Sequence, residues 1–341
     1  MTWVTDLAEQ SRSVMPRPMW EYVEAGADDG ITTAEAAAAW RDVRFAPRVL
    51  SGGPVDLTTD LLGDVLRTPV GIAPTSLQRV AHPAGEPAMA AGAAAVGALH
   101  VVSSNAGHRF ADIDAGSPWW LQAYLPPDRH SAAPVLRAAV AAGARAVVLT
   151  VDTPVPGPKR RPPEEDWAGT DLSWFRCNFE EPGEVRWADD LAPADIGWLH
   201  EVTGVPVVVK GVLRADDARA CVDAGASAVW VSNHGGRQLD RATTTRAALP
   251  RVAAAVGEQV PVLVDGGIRS GLDVLAALSL GADAALLGRP PLHALALGGA
   301  DEVERLLSRL ADETAQALLL AGCRTPRDAR GIAVPSGPTS P

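Results

Sequence analysis

A histidine and an arginine lie close together in residues 232–240, which read Ser-Asn-His-Gly-Gly-Arg-Gln-Leu-Asp. The imidazole of His234 can accept a proton near neutral pH, and Arg237 can hold a carboxylate with two parallel hydrogen bonds. The glycines between them let backbone approach a flat ligand. An arbitrary loop histidine more often has only a structural role, such as capping a helix, but the density of functional groups here favours acid–base chemistry.

Two glycine-rich turns, each with an arginine, are candidates for a phosphate site. Residues 265–271 read Asp-Gly-Gly-Ile-Arg-Ser-Gly, and residues 288–290 read Gly-Arg-Pro. Free N–H groups at the start of a helix attract phosphate, and the arginine adds charge. Either turn alone is a weak signal, but a phosphate site built from the last two strand loops recurs in barrels.

Two further charged residues end predicted strands. Lys210 closes the apolar run Val-Val-Val-Lys-Gly, so its ammonium is expected to point into a barrel mouth and stabilise developing negative charge. Asp152, in Leu-Thr-Val-Asp-Thr-Pro, can orient and stabilise an imidazolium. The structural alternatives are a surface lysine with an extended side chain and a helix N-cap aspartate.

The elements that must position these residues alternate along the chain. Short apolar, β-branched runs predict buried parallel strands, and Ala-rich helical stretches lie between most of them. This order fits a closed (β/α)8 TIM barrel better than an open sheet, and functional residues then gather at the carboxyl ends of the strands. The predicted strands are residues 69–74, 100–103, 119–124, 146–152, 206–211, 228–233, 260–265 and 284–288, and the predicted helices include 86–96, 132–142, 215–224 and 271–280.

The remaining segments define the predicted domain organisation. We expect one domain over residues 1–334, with residues 1–65 as an N-terminal helical extension that covers the barrel. Residues 154–195, rich in Pro, Trp and charge, predict a lid-like loop after the fourth strand. Residues 335–341 predict a disordered tail.

Composition limits the function classes. The 341-residue chain has 47% hydrophobic residues and a net charge of −11, which disfavours a nucleic-acid or anionic-membrane partner. Its three cysteines are far apart and lack the spacing of a zinc or disulfide framework, so we expect no metal site and a cytoplasmic location. We also expect neither a signal peptide nor a membrane span.

Taken together, these motifs resemble the FMN-dependent α-hydroxy-acid oxidase and dehydrogenase family, over about residues 20–323. The most specific matches are residues 232–240 and 265–271, and four shorter ones lie at 73–76, 121–124, 149–154 and 209–211. The resemblance implies FMN as cofactor, a small hydroxy-acid substrate and a homo-oligomer, either a tetramer or a dimer.

The resemblance also implies roles for individual residues, with the protein positioning and charging a site in which the flavin performs the electron chemistry. Lys210 is expected near the flavin N1–O2 region and Ser232 along the flavin tail. The other implied FMN-binding residues are Thr75, Ser76, Ser103, Gln122, Thr150, Asp265, Gly266, Gly267, Arg269, Gly288 and Arg289. On the substrate side, it implies that His234 removes the hydroxyl proton, Asp152 supports the charged His234, Arg237 grips the carboxylate, and Tyr22 and Tyr124 touch the substrate.

Three departures from the family pattern concern the substrate pocket. The family usually places a carboxylate-binding arginine shortly after Thr-Pro, where this chain has Lys159, with Arg160 as a possible substitute. Lysine lacks the planar, two-pronged geometry of arginine. Asn105 stands where an aromatic residue is expected, which enlarges or re-tunes the pocket. The loop after the fourth strand is short for the family, consistent with a bulky or tethered substrate.

The leading functional hypothesis is oxidation of an L-2-hydroxy acid to a 2-oxo acid, with the flavin reoxidised by oxygen or another acceptor. The alternative is FMN-dependent oxidation of a carbon–nitrogen bond in a larger amine or peptide-derived substrate, as in redox-cofactor maturation. A third class, a non-catalytic binder of flavin or another phosphate ligand, is disfavoured because the full acid–base set is present.

Overall fold

Eight parallel strands close into a barrel in this computed structural model, which describes residues 3–113, 116–159, 167, 169–179 and 186–334. In chain order the strands are β1 (Arg44–Phe45), β2 (Thr59–Leu61), β3 (Asp64–Leu66), β4 (Val70–Ile72), β5 (His100–Ser103), β6 (Trp119–Ala123), β7 (Val147–Thr150), β8 (Val207–Val212), β9 (Ala228–Val231), β10 (Val262–Val264), β11 (Ala284–Leu287) and β12 (Ala333–Val334). The barrel runs from β4 to β11, and β11 pairs with β4 to complete it. The predicted (β/α)8 barrel is confirmed.

Helices follow most of the barrel strands and cover the outside. They are α1 (Trp3–Ser11), α2 (Arg17–Glu24), α3 (Ile31–Arg41), α4 (Gln78–Ala81), α5 (Gly85–Val96), α6 (Ala133–Ala141), α7 (Ala194–Thr203), α8 (Ala215–Asp223), α9 (Thr245–Val256), α10 (Gly271–Ser279) and α11 (Arg289–Leu320). Their starts follow local rules: the hydroxyls of Thr244 and Ser270 cap α9 and α10. None of the helices in the described ranges is long and apolar enough to cross a bilayer.

The core has two layers, as expected when strand side chains alternate between the barrel interior and the helices. The inner layer is a separate cluster that includes Trp120 and Trp230, both fully buried. The outer layer packs the opposite strand faces against the helices. Full burial of an aliphatic or aromatic side chain contributes about 1.5–3 kcal/mol, so these layers give the strand ends a rigid support.

The amino-terminal end of the barrel is closed by the β2–β3 hairpin. Leu61 and Leu66 of the hairpin join the inner cluster. Asp64 accepts a hydrogen bond of 2.9 Å from the indole of Trp120 and pairs with Arg145. The prediction of helix over residues 1–65 therefore matches α1–α3 but is wrong beyond residue 41, because a hairpin carries the closing side chains.

The carboxyl-terminal end of the barrel is partly covered by the start of the chain. The carboxylate of Asp240 accepts hydrogen bonds from the backbone N–H groups of Asp29, Ile31 and Thr32 at the beginning of α3. The guanidinium of Arg237 caps the end of α2 through three backbone carbonyls. In the segment between β7 and α7, the backbone N–H of Gly157 donates to the side chain of Gln238 at 2.7 Å. Residues 160–166, 168 and 180–185 of that segment, and the predicted tail at 335–341, are outside the described residues.

Candidate active site

One cavity at the carboxyl ends of the strands brings together most of the predicted site residues. Predicted residues on its wall are Tyr22, Thr75, Ser76, Ser103, Asn105, Gln122, Tyr124, Thr150, Lys210, His234, Arg237, Asp265, Gly266, Gly267, Arg269, Gly288 and Arg289. Asp152, Lys159 and Ser232 lie behind this wall rather than on it, and Arg160 is outside the described residues. The chain thus brings segments from α2 to α11 together around a single cavity.

His234 is held in a conformation that is uncommon for a residue with a side chain. Its φ is +56°, and Gly235 and Gly236 that follow also have positive φ. A Cβ atom at Gly236 would lie 2.4 Å from the hydroxyl oxygen of Thr33, so only glycine lets this loop pack against α3. The turn places the imidazole on the cavity wall.

The imidazole is paired with a mostly buried carboxylate. His234 Nδ1 lies 3.0 Å from Asp152 Oδ1, and the Asp152 side chain is 13% exposed. Burial acts to raise the pKa of Asp152, but the charge and hydrogen bond of His234 outweigh it, so this pKa lies below its ordinary value. Gly211 makes room for the pair, because a Cβ there would lie 2.6 Å from that of Asp152.

The other imidazole nitrogen faces the cavity. With Nδ1 donating to Asp152, Nε2 carries the lone pair that can accept a proton from a bound substrate. The hydroxyl of Tyr124 lies 3.5 Å from this Nε2. Burial raises the pKa of Tyr124 above its ordinary value, so the phenol stays protonated and able to donate a hydrogen bond.

Lys210 supplies a buried positive charge at the cavity. Its ammonium donates to the hydroxyl of Ser232 at 3.1 Å and lies 3.4 Å from Asp265 Oδ2. Ser232 in turn donates to Asp265 Oδ1 at 2.7 Å and accepts the backbone N–H of His234 at 3.1 Å. The structure places the hydroxyl of Ser232 within this network, where it fixes the ammonium, and the implied position of Ser232 along the flavin tail stays a prediction.

A row of neutral polar side chains continues from Lys210 across neighbouring strands. Gln122 of β6 donates to the hydroxyl of Thr150 on β7 at 3.0 Å, and its amide oxygen accepts from Ser103 on β5 at 3.3 Å. Thr150 is directly opposite Lys210 in the β7–β8 pairing. All of these residues are buried, so the row presents fixed donors and acceptors to a planar polar ligand.

Two arginines follow the last two barrel strands and line the cavity: Arg269 lies between β10 and α10, and Arg289 begins α11. Arg289 donates from Nε to the carbonyl of Val23 at 2.9 Å, while its Nη2 is buried without a hydrogen-bond partner among the described residues. Burial lowers the pKa of Arg289 to about 10 against the opposing effect of the Glu24 carboxylate, and the charges of Arg237 and Arg269 act in the same direction as burial. Two desolvated guanidinium groups with an unmet donor form a site suited to an anion.

Arg237 binds backbone carbonyls of the leading segment and also lines the cavity. Its Nη1 donates to the carbonyls of Tyr22, Val23 and Ala25 at 2.6, 3.1 and 2.9 Å, and its guanidinium lies 4.7 Å from the centre of the Tyr22 ring. Its Nε and Nη2 have no hydrogen-bond partner within the described ranges. The residue thus fixes the end of α2 and still offers donors to the cavity.

Lys159 does not reach the cavity wall. Its ammonium donates to the backbone carbonyl of Arg237. Burial, together with the charges of Arg237 and Arg289, lowers the pKa of Lys159 to about 8. The structure therefore places Lys159 as a support for Arg237, not in contact with the cavity as the sequence predicts.

Comparison with known proteins identifies the family. A family model described as FMN-dependent dehydrogenase matches residues 11–334. The chain is 39% identical to L-lactate oxidase of Nostoc sp., over 91% of this chain and 91% of that protein, and 36% identical to glycolate oxidase of Spinacia oleracea, over 95% and 93%. A crystal structure of a lactate oxidase of Pediococcus acidilactici, itself described as putative, superposes with a TM-score of 0.90 at 35% identity, over 96% of this chain and 93% of that one.

The chain belongs to the FMN-dependent dehydrogenase family. The cavity fits the cofactor that this family uses. The buried, unpartnered Nη2 of Arg289 is an unmet donor for a phosphate, and the polar row from Ser103 to Thr150 can meet the polar edge of a flavin ring.

Several wall residues of this FMN-dependent dehydrogenase family member were beyond sequence reasoning. Trp187 lines the cavity and stacks on Tyr124, with ring centroids 4.8 Å apart. Its surroundings in the sequence show no periodicity, so only the richness of the segment in tryptophan pointed towards it. The apolar lining residues Val23, Ile268 and Leu292 carry no chemical signal at all.

Proposed function

We propose that this protein oxidises an L-2-hydroxy acid to the corresponding 2-oxo acid with FMN. The observation that carries the proposal is that His234, paired through Nδ1 with Asp152, presents its Nε2 in the same cavity as the guanidinium of Arg237. That pair can receive a hydroxyl proton and hold a carboxylate, the two groups that define a 2-hydroxy acid. The relatives named L-lactate oxidase and glycolate oxidase are consistent with this class of substrate.

In this proposal FMN is held along the whole cavity. Arg269 and Arg289, with the backbone of Asp265, Gly266, Gly267 and Gly288, bind the phosphate. Ser103, Gln122 and Thr150 bind the polar edge of the ring, with Lys210 beside them and Thr75 and Ser76 against the ring. When bound, FMN supplies the acceptor for the hydrogen that leaves the α-carbon with both electrons of its bond.

The chain positions the substrate and moves its proton. Arg237 binds the carboxylate, and Tyr22 and Tyr124 contact the substrate from the wall. His234 Nε2 takes the hydroxyl proton as the carbonyl bond forms, and the ionised Asp152 stabilises the resulting imidazolium. Lys210 places a positive charge where negative charge develops on the acceptor. Thr153 steadies the pair, since its hydroxyl donates to Asp152 Oδ1 at 3.1 Å.

An anaerobic substrate panel tests the proposal. The purified protein is expected to be yellow and to lose its flavin absorbance on addition of glycolate, L-lactate or longer L-2-hydroxy acids. Bleaching only by amines or amino-ketones would instead support oxidation of a carbon–nitrogen bond. A colourless protein that does not take up added FMN would refute both. Readmitting oxygen and measuring hydrogen peroxide then distinguishes an oxidase from a dehydrogenase.

Domain organisation, assembly and location extend the proposal. We propose one domain over residues 1–334, with residues 154–195 as a lid-like loop, and a homo-oligomer in the cytoplasm. The three cysteines are free thiols, which fits a reducing compartment. The oligomer rests on the family resemblance, and light scattering of the purified protein tests it.

A further inference from the structure

Trp187 lies in the β7–α7 segment and contacts a neighbour of the proposed base. Its indole lines the same cavity as His234 and Arg237. It stacks on Tyr124 with ring centroids 4.8 Å apart and an angle of 26° between the planes, and the Tyr124 hydroxyl is 3.5 Å from His234 Nε2. The ring of Tyr124 therefore separates the indole from the imidazole of His234.

The residue after Trp187 is bonded to the residue after Tyr124. The backbone N–H of Ala188, the next residue, donates to the carbonyl of Leu125 at 2.8 Å. Leu125 follows Tyr124 just as Ala188 follows Trp187. The hydrogen bond between Ala188 and Leu125 therefore holds the two stacked rings side by side. Ala188 is 1% exposed, and a buried backbone hydrogen bond of this kind resists opening.

A charged cluster anchors the rest of the same segment. Arg129, in the loop after β6, binds Asp190 at 2.7 Å and Asp195 at 2.9 Å. The Asp195 carboxylate also accepts the backbone N–H of Ala192 at 2.7 Å. These contacts attach the residues that follow Trp187 to the barrel, and they help to hold Trp187 in the cavity wall.

The orientation of the substrate then decides what Trp187 meets. With the carboxylate at Arg237 and the hydroxyl at His234 Nε2, the side chain on the α-carbon is the only substituent left to contact the remaining wall. Part of that wall is the Tyr124–Trp187 pair, while Asn105 presents only a short side chain. Stacked aromatic rings bind apolar and aromatic side chains favourably. Glycolate has only a hydrogen atom at this position and so makes little contact with them.

We infer that Trp187 is a specificity-determining residue that selects L-2-hydroxy acids with bulky apolar or aromatic side chains over glycolate. This inference rests on the proposed function and names the substrate class within it. A single methylene more or less in an apolar pocket changes discrimination by about 10- to 200-fold, so the loss of an indole contact is large enough to measure.

The test compares anaerobic flavin reduction by (S)-mandelate and by glycolate in the FMN-loaded enzyme. Trp187→Leu is expected to lower the ratio of kcat/KM for (S)-mandelate over glycolate by about ten-fold or more, while Trp187→Phe, which keeps an aromatic face, retains most of it. The matched control is Trp198→Leu: this indole packs against His130, lies on α7 and does not line the cavity. A ratio within two-fold of wild type, or a higher one, in Trp187→Leu would overturn the inference.

A binding measurement separates this inference from the proposed function. If no hydroxy acid reduces the wild-type flavin, the proposed function fails. Titrations with phenylglyoxylate and glyoxylate, followed through the flavin spectrum, then still measure how tightly the cavity binds a bulky and a small 2-oxo acid. Weaker binding of phenylglyoxylate alone in Trp187→Leu supports the role of Trp187, and unchanged binding of both acids refutes it.

Discussion

His234 Nδ1 and Asp152 Oδ1 are 3.0 Å apart although 82 positions separate the two residues in the chain. They follow β9 and β7, and β8 runs between those strands. The contact exists because Gly211, at the bulge in β8, leaves the space that a side chain would fill. The barrel thus builds its acid–base pair across an intervening strand.

Replacing the proposed base is expected to separate catalysis from cofactor binding. His234→Ala should keep its FMN, because the imidazole is not among the groups proposed to bind it. The rate of anaerobic reduction should fall by about 10²- to 10⁴-fold, the range for loss of a general base. Stopped-flow absorbance measures this rate. His200→Ala, at an exposed position on α7, is the control, and an unchanged rate in His234→Ala would remove His234 from the mechanism.

Removing the Asp152 charge is expected to lower the reduction rate by an amount that is constant over neutral pH. The pKa of Asp152 is depressed in the folded protein, so its charge is present above the ordinary carboxyl range and is lost only as the pH falls through the depressed pKa. Rates of wild type and Asp152→Asn should therefore differ by a fixed factor above about pH 5 and converge only as the pH falls below the ordinary carboxyl pKa of about 3.9. A difference that disappears near pH 7 would contradict this.

Loss of one of the anion-binding arginines is expected to weaken cofactor retention. Arg289→Ala removes a buried cation with an unmet donor. A hydrogen bond to a charged group is worth about 1.5–3 kcal/mol, so the Kd for FMN should rise about 10- to 100-fold. Fluorescence titration of the flavin-free protein measures it. Arg305→Ala, an exposed change on the same helix, serves as control, and full FMN occupancy of Arg289→Ala would argue against the phosphate assignment.

The buried ammonium of Lys159 is expected to make the flavin-free protein more stable as the pH rises. Its pKa is about 8 in the folded chain and about 10.4 when unfolded, so the unfolded state binds more protons between these values. Stability therefore increases with pH across that window. The free energy of unfolding in urea, measured from pH 7.5 to 10.5, should rise relative to that of Lys159→Met. Parallel curves for the two proteins would show that Lys159 is not desolvated.

The barrel and the polar half of the site were predictable because both rest on local patterns. Apolar runs with regular spacing identify strands, and the topology of a parallel barrel places their carboxyl ends together. His234, Lys210 and Arg269 could therefore be assigned to one cavity from the sequence. The same argument placed Asp152 near His234, since both follow barrel strands.

The rest depends on contacts that leave no local pattern. The β2–β3 hairpin has three residues in each strand and carries Thr59, Asp60 and Asp64, so its alternation is too short to detect. Trp187 follows no periodic pattern in the sequence, and its place in the cavity depends on distant contacts such as the Ala188–Leu125 hydrogen bond and the stacking on Tyr124. Arg237 both binds the end of α2 and lines the cavity. This double role likewise could not be predicted without the three-dimensional position of α2.

The attachment of α2 to Arg237 and Arg289 has a consequence for protein engineering. Both guanidinium groups donate to the carbonyl of Val23, a residue outside the barrel. A chimera that transplants the strands and their loops without this leading helix would strip two cations of their backbone acceptors and delete Tyr22. Residues 17–24 must therefore be transferred together with the barrel if the chimera is to keep the wall of its cavity.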